Sequence, residues 1–236
     1  ALAAALKADK CQIMKDVDGV FVSDPKLIPH VKLNPVLSYD EMLQMSELGA
    51  GVINQYAVEI AKHYHVKVAV GNSVTKKMGT IITDNSLDTA KISGIILNDA
   101  VLALKFSKNN GRNLWSVQKT LEQKRWKIFY SYLSEESFWV VTDDEMGHEI
   151  EETLKSADWQ PVPDLYEDIA LVSIVGSGLN YNAPLVKNIL HILEEWDKNI
   201  LSLQATMQKI SIIVKNNDNL KKLVESLYDL VEMEGN

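Results

Sequence analysis

The segment from Lys15 to Lys26 (KDVDGVFVSDPK) carries the densest set of side chains able to bind a ligand. Asp16 and Asp18 place two carboxylates in one tight turn, and Gly19 allows a ligand to come close to the backbone. The apolar run that follows is typical of a strand. Such a turn suits the ribose, base or magnesium side of a bound nucleotide. The alternative interpretation is a solvated turn that binds nothing.

A second candidate is the glycine-containing run at residues 169–179 (IALVSIVGSGL). Gly176 and Gly178 would let a loop backbone approach the carboxylate of a small ligand. A helix that begins near Pro184 would add the positive end of its dipole. The alternative interpretation is a strand-to-helix turn that needs glycine for its geometry alone, and the sequence leaves both open.

The remaining candidates favour ordinary structural roles. His63 and His65 offer two ligands and no third, so we predict no metal site. His148 lies among the acidic residues 143–152 without the second histidine of a zinc helix, and this pattern predicts a charged helix start. Tryptophans 115, 126 and 139 are expected to pack in a core or in a seam between two domains.

Charge and cysteine content exclude several classes of protein. The net charge is −8 with an isoelectric point near 5.2, and no block of lysine or arginine occurs, so nucleic acid is not an expected partner. Cys11 is the only cysteine, which fits a reducing, cytoplasmic setting. No apolar run reaches the roughly 18 residues of a membrane helix. The chain starts without methionine, and we expect a fragment of a longer protein.

The elements that position the first loop are predicted from residues 1–84. Ser38 and Glu41 form a capping box, and apolar residues at helical spacing follow until a break at Gly49 and Gly51. The pattern predicts two helices around that break. Alternating valines at 66–70 and the run at 79–82 predict two strands, and the polar residues 85–90 predict a linker.

The second half of the chain repeats one order of elements. A strand at 101–106, a helix at 113–124, a hairpin at 126–142 and a helix at 146–157 give βαββα. The same order returns from Ile169, which lies 68 residues after Val101. We therefore predict an α/β chain of three domains. These are residues 1–84, a first module at 91–160 and a second at 165–236, each module a ferredoxin-like α/β sandwich, side by side or interleaved.

The first loop resembles the nucleotide-side loop of aspartate kinases, which reads T-D-V-D-G-[VI]-Y-[TS]-[AT]-D-P-R. Residues 37–52 are similar to the helix pair that follows it in that family, and residues 79–82 to its closing G-T-x-I strand. The resemblance implies that residues 1–84 are the C-terminal part of an amino-acid-kinase domain. It assigns nucleotide-binding roles to six residues: Lys15, Asp16, Phe21, Lys26, Gly51 and Val52.

The repeats resemble the tandem ACT modules of the same family, which bind an end-product amino acid and pair in dimers. The second module matches best, through the glycine run and through Asn199 and Ile200, where the family reads G-[IV]-N-I. The first module keeps only the glycine of its loop. The resemblance assigns effector binding to six residues: Gly111, Asn113, Gly176, Gly178, Asn199 and Ile200.

The implied parent enzyme uses ATP and magnesium to phosphorylate the β-carboxylate of L-aspartate, at the head of lysine, threonine and methionine synthesis. Its K-F-G-G-T-S and G-R-G-G-S-D-T-T-A motifs do not occur in this sequence. We therefore expect no catalytic residues here and no phosphorylation of aspartate by this chain alone. The expected partners are lysine or threonine, a second copy of the chain and a catalytic subunit. The alternatives are a separate regulatory subunit or a stand-alone amino-acid-binding protein.

Overall fold

A computed structural model describes residues 1–84, 91–107, 119, 121, 124, 126–134, 136–156 and 163–234. The chain forms two compact units. Unit 1 comprises residues 1–97, 172–212 and 217–236, and unit 2 comprises residues 98–171 and 213–216. None of the described helices is long and apolar enough to cross a membrane.

The first sheet of unit 1 has four strands in the order β1-β3-β4-β2. β1 and β3 are parallel, β2 and β4 are parallel, and β3 and β4 are antiparallel. The bounds are β1 Lys10–Lys15, β2 Val36–Ser38, β3 Lys67–Asn72 and β4 Met78–Thr83. β3 is buried from Val68 to Gly71, as its apolar composition requires.

Three helices accompany this sheet: α1 Leu2–Ala5, α2 Tyr39–Glu47 and α3 Gln55–His63. The capping box predicted at Ser38 and Glu41 is present, and the Asn54 side chain caps α3. α2 buries Met42 and Met45. The hydroxyl of Tyr39 donates to the carbonyl of Val66 at 2.7 Å and fixes the start of α2 next to β3.

The second part of unit 1 contains the strand order β5-β8-β10-β9. β5 is Lys91–Ser107, β8 is Asp164–Ser177, β9 is Ile200–Ala205 and β10 is Lys209–Lys215. The first half of β5 and the second half of β8 belong to unit 1. The two helices of this part pack against each other. A helix of unit 2, α4 at Asp144–Ser156, precedes them in the chain. We label them α5 Ala183–Glu194 and α6 Leu220–Glu234.

Unit 2 contains the order β6-β7-β5-β8, with β6 Tyr130–Leu133 and β7 Ser137–Asp143. β7 is antiparallel to both β5 and β6. Helix α4, Asp144–Ser156, supplies Ile150 and Leu154 to a core that also contains Leu102, Leu104 and Phe138. Helices and sheets are thus combined in both units, and the predicted α/β fold class is confirmed.

Some local predictions differ from the structure. The run at residues 20–22 was expected to form a strand, but it makes only one isolated bridge, between Phe21 and Leu33. At the start of the chain, α1 ends at Ala5, and β1, which was not predicted, starts at Lys10. The predicted linker at 85–90 lies outside the described residues, as does most of the helix predicted at 113–124. The three-domain division stays a prediction.

Candidate functional site

A cavity of about 510 Å³ lies in unit 1 beside the loop that follows β1. Three segments form its walls: residues 15–26, residues 45–52 and residues 95–97 at the middle of β5. All six residues that the sequence assigned to nucleotide binding line it, namely Lys15, Asp16, Phe21, Lys26, Gly51 and Val52. The structure therefore brings these separate predictions together at one place.

The turn at the start of the cavity is held from behind by β4. The amide of Val20 donates to the hydroxyl of Thr80 at 2.8 Å, and that hydroxyl donates to the carbonyl of Asn34 at 2.7 Å. A Cβ atom at Gly19 would lie 2.6 Å from the same hydroxyl, so the turn needs glycine here. Asp18 accepts a hydrogen bond from Asn72 at 2.9 Å. Asp16 is exposed and lines the cavity.

The two lysines of the loop supply positive charge. The ammonium of Lys15 lies 3.5 Å from the carbonyl of Gly51, so it reaches across to the second wall. The side chain of Asp24 accepts from the amide of Lys26 at 2.8 Å, which shapes the turn that presents Lys26. Neither ammonium group forms an ion pair with any residue in the part of the chain that is described. Both can therefore neutralise an anionic ligand such as a phosphate.

The second wall is the loop between α2 and α3. Gly49 and Gly51 have φ values of 98° and 68°, a conformation that is unfavourable for residues with a side chain. The predicted glycine break is thus the point where the chain turns to face Lys15. Val52 adds apolar surface on the same wall.

The third wall comes from β5 and was missed by the sequence analysis. Ile95, Ile96 and Leu97 line the cavity together with Phe21, which is half-buried. The apolar run at residues 92–97 was the available signal, but the strand was predicted to begin at Val101. Apolar surface beside an aromatic ring is the environment that a nucleobase requires.

The predicted effector residues of the second module lie around the end of β8 and the start of β9, both in unit 1. Gly178 adopts φ 66° and precedes a short 3-10 turn, after which the side chain of Asn182 caps α5. A Cβ atom at Gly176 would lie 2.1 Å from the carbonyl oxygen of Lys91, so close approach of β5 explains this glycine. Gly111 and Asn113, predicted for the first module, lie outside the described residues.

Asn199 and Ile200 stand at the start of β9. Asn199 is half-buried and ends a 3-10 turn, in which its amide donates to the carbonyl of Trp196 at 2.7 Å. Ile200 is extended and begins the strand.

The weaker candidates occupy surface or packing positions. The Nδ1 atom of His65 lies 3.0 Å from Asp84, and both side chains are exposed. His148 lies 3.8 Å from Glu167 in a similarly exposed pair. Trp139 packs against Tyr166 in unit 2. Within the described ranges, no group of three or more histidine, cysteine or acidic side chains could hold a metal ion.

One pair of ionisable groups in unit 1 is shifted by burial. Burial raises the pKa of Glu47, at the end of α2, although the charge of Lys209 opposes the shift and Glu59 adds to it. Burial lowers the pKa of Lys209, on β10, against the attraction of Glu47. In both groups desolvation outweighs the attraction between them.

Known proteins similar to this chain agree on one family. Residues 1–72 match the model of the amino acid kinase family. Aspartokinase 2 of Bacillus subtilis is 34% identical over 99% of this chain and 60% of its own length. The chain thus spans about 60% of the length of the curated relatives that it matches.

Solved structures share the fold. E. coli aspartokinase III in complex with aspartate and ADP (R-state) superposes with a TM-score of 0.84 at 21% identity, over 97% of this chain and 53% of that chain. The same enzyme in complex with lysine and aspartate (T-state) gives a TM-score of 0.77 at 21% identity, over 98% and 53% of the two chains. The chain is therefore homologous, over its whole length, to the C-terminal part of the aspartokinases.

Proposed function

We propose that this chain is the nucleotide-side and regulatory part of an aspartate kinase. The parent reaction transfers the γ-phosphoryl group of ATP, as its magnesium complex, to the β-carboxylate of L-aspartate in the cytoplasm. The observation that carries the proposal is the cavity in unit 1, which gathers all six residues of the family's nucleotide loop pattern. The structure of E. coli aspartokinase III with aspartate and ADP, which has the same fold, supports it.

Each wall has a definite role in this proposal. Phe21 and the apolar residues of β5 hold the base, Asp16 meets the ribose or the magnesium ion, and the ammonium groups of Lys15 and Lys26 face the phosphates. The family motifs whose lysine neutralises the transferring phosphate do not occur in this sequence. Its own contribution is therefore binding and orientation rather than phosphoryl transfer.

The test is a calorimetric titration of the chain with magnesium-ADP. We expect binding, and Phe21→Ala should weaken it at least about fivefold, because base-to-aromatic stacking contributes ~1–3 kcal/mol. Tyr64→Ala removes an exposed aromatic ring that lies outside the cavity, and it should leave the affinity for magnesium-ADP unchanged. Absence of binding to the wild-type chain would contradict the nucleotide role.

The regulatory half of the proposal concerns the two ACT modules. We propose that lysine or threonine binds in the second module at Asn199 and the amide of Ile200, with Gly178 near a helix start. E. coli aspartokinase III in complex with lysine and aspartate supports an amino-acid effector. Titration with each amino acid in turn distinguishes lysine from threonine.

We also propose a homodimer through the modules. β9 and β6 stand at the ends of the strand orders of their units, and an edge strand is a position where the sheets of two chains can pair. Leu190 on α5 and Leu133 on β6 are 48% and 46% exposed. Exposed apolar side chains of this size suit a surface that a second copy of the chain would cover. Light scattering should give twice the chain mass at tens of micromolar, on the order of the concentrations where standard interfaces persist.

The second candidate function is a separate, non-catalytic regulatory subunit that works with a catalytic chain. It retains the same modules but requires no nucleotide binding by this chain. Calorimetry with magnesium-ADP separates the two, since only the first candidate predicts heat from the cavity in unit 1.

A further inference from the structure

The first half of β5 is bonded to the loop that forms one wall of the cavity. The amide of Ile95 donates to the carbonyl of Val22 at 2.6 Å. The hydroxyl of Ser23 donates in return to the carbonyl of Ile95 at 2.9 Å. Ser23 is 7% exposed, so this second bond is shielded from water. The pair fixes both the distance and the tilt of the loop relative to the strand, because two bonds define an orientation that one bond does not.

The same stretch of β5 is bonded to the helix that carries the second wall. The hydroxyl of Ser93 donates to the carboxylate of Glu41 at 2.5 Å. Glu41 is 1% exposed and also accepts from the amide and hydroxyl of Ser38, both at 2.8 Å. Farther along α2, the side chain of Met45 packs on Gly94, where an added Cβ would lie 3.1 Å from the Met45 methyl group.

The two loops that face each other across the cavity are therefore attached to one short stretch of strand, residues 93–95. Their separation depends on that strand. We propose that Ser23 is a positioning residue of the nucleotide cavity, acting through the backbone of Ile95 to hold Phe21 and Lys26 at the spacing that a nucleotide needs. This inference rests on the proposed nucleotide role of the cavity.

Ser23 lies between the two ligand-facing residues in sequence and also lines the cavity, but its hydroxyl is bonded to the backbone of β5. Its loss leaves the carbonyl of Ile95 without this donor and lets the loop tilt about the remaining bond. The cavity then binds its ligand only after reordering the loop, and the cost appears as weaker affinity. A threonine keeps the hydroxyl and should keep the bond.

The experiment compares Ser23→Ala and Ser23→Thr with a matched control, Ser173→Ala. Ser173 is a fully buried serine of β8 whose hydroxyl pairs with Ser211 at 3.3 Å, and it does not line the cavity. Magnesium-ADP affinity is measured by calorimetry and the free energy of unfolding by urea titration. We expect about fivefold weaker binding for Ser23→Ala, the equivalent of one buried hydrogen bond, with wild-type affinity for Ser23→Thr and Ser173→Ala.

Three outcomes overturn the inference. One is wild-type affinity in Ser23→Ala. Another is equal weakening in Ser173→Ala at the same loss of stability, which would make the effect general. Failure of Ser23→Thr to restore affinity, in a variant that is folded by urea titration, is the third. Absence of binding by the wild-type chain instead refutes the proposed function, and the positioning role with it.

Discussion

The hydroxyl oxygen of Tyr228 on α6 accepts a hydrogen bond from the backbone amide of Lys32 at 2.8 Å. Tyr228 is 5% exposed, and the two residues are 196 positions apart in the sequence. The bond thus joins the last helix of unit 1 to the segment that leads from the cavity loop into β2. Water has little access to replace the oxygen if it is removed.

Tyr228→Phe should lower the free energy of unfolding by about 1–2 kcal/mol, because the amide of Lys32 loses its buried acceptor. Urea titration at constant protein concentration measures the change. Tyr181→Phe removes a hydroxyl from a residue that is 75% exposed and should change stability by less than about 0.5 kcal/mol. Equal effects of the two substitutions would show that the bond to Lys32 contributes nothing.

Gly176→Ala should destabilise the chain by about 1–3 kcal/mol, the usual cost of forcing atoms into packed space. The added Cβ would lie 2.1 Å from the carbonyl oxygen of Lys91, and a backbone atom cannot move aside as a side chain can. Gly178→Asn is the matched variant, since asparagine tolerates the left-handed conformation at φ 66°. Thermal unfolding should show a clear loss for the first variant and a small one for the second.

Glu47→Gln should stabilise the chain at neutral pH. The pKa of Glu47 is raised by burial, so the folded state favours the protonated acid and loses stability as pH rises from the unfolded value near 4.5 through the higher folded value. Glutamine carries no charge and avoids that loss. Urea titrations from pH 4 to 8 should show equal stability at the acidic end and a growing advantage for the variant above it. Glu232→Gln, at an exposed position on α6, is the control.

The chain alone should not consume ATP in the presence of aspartate, since the family motifs that neutralise the transferring phosphate are missing from its sequence. Trapping aspartyl phosphate as the hydroxamate, with aspartate omitted in the control, measures the reaction. A signal that depends on aspartate would refute this prediction and would require a catalytic residue within this chain.

Asn199→Ala should weaken binding of lysine or threonine by about 1–3 kcal/mol without unfolding the second module, because a polar group of the ligand loses its partner. Calorimetry with the effector that binds the wild-type chain measures the loss, and circular dichroism checks the fold. Equal affinity of variant and wild type would remove Asn199 from the site. Lack of binding by the wild-type chain would instead leave the modules with a dimerisation role.

The sequence predicted local features better than connections between distant segments. The capping box at Ser38 depends on a neighbour three residues away and was predictable. The family pattern also selected six residues that line one cavity. The contribution of Ile95 to the cavity was not predictable. It lies about 70 residues after the loop, and contact between segments so far apart produces no periodic pattern in the loop sequence.

Strand β1 was not predicted, and the strand expected at residues 20–22 did not form, both for a similar reason. Lys10 to Lys15 mixes polar and apolar residues, and its pairing with β3 decides that it is a strand. Residues 20–22 have strong strand propensity, yet their backbone groups bond to Lys32, Asn34 and Ile95 in a loop. Tertiary pairing overrides propensity in both segments.

The placement of β5 within unit 1 limits how this protein can be divided by genetic engineering. In unit 1 the second half of β8 lies between β10 and the first half of β5, which precedes β8 by about 70 residues in the chain. A recombinant product that begins at residue 165 would retain β8, β9 and β10 but lose the strand that covers one edge of β8. That edge of β8 would present amides and carbonyls without a partner strand. Residues 169–176 of β8 are buried in the intact chain, and an exposed apolar edge of this kind pairs with other chains. Expression of residues 165–236 alone should therefore give aggregates, whereas a product that begins before Lys91 keeps the edge closed.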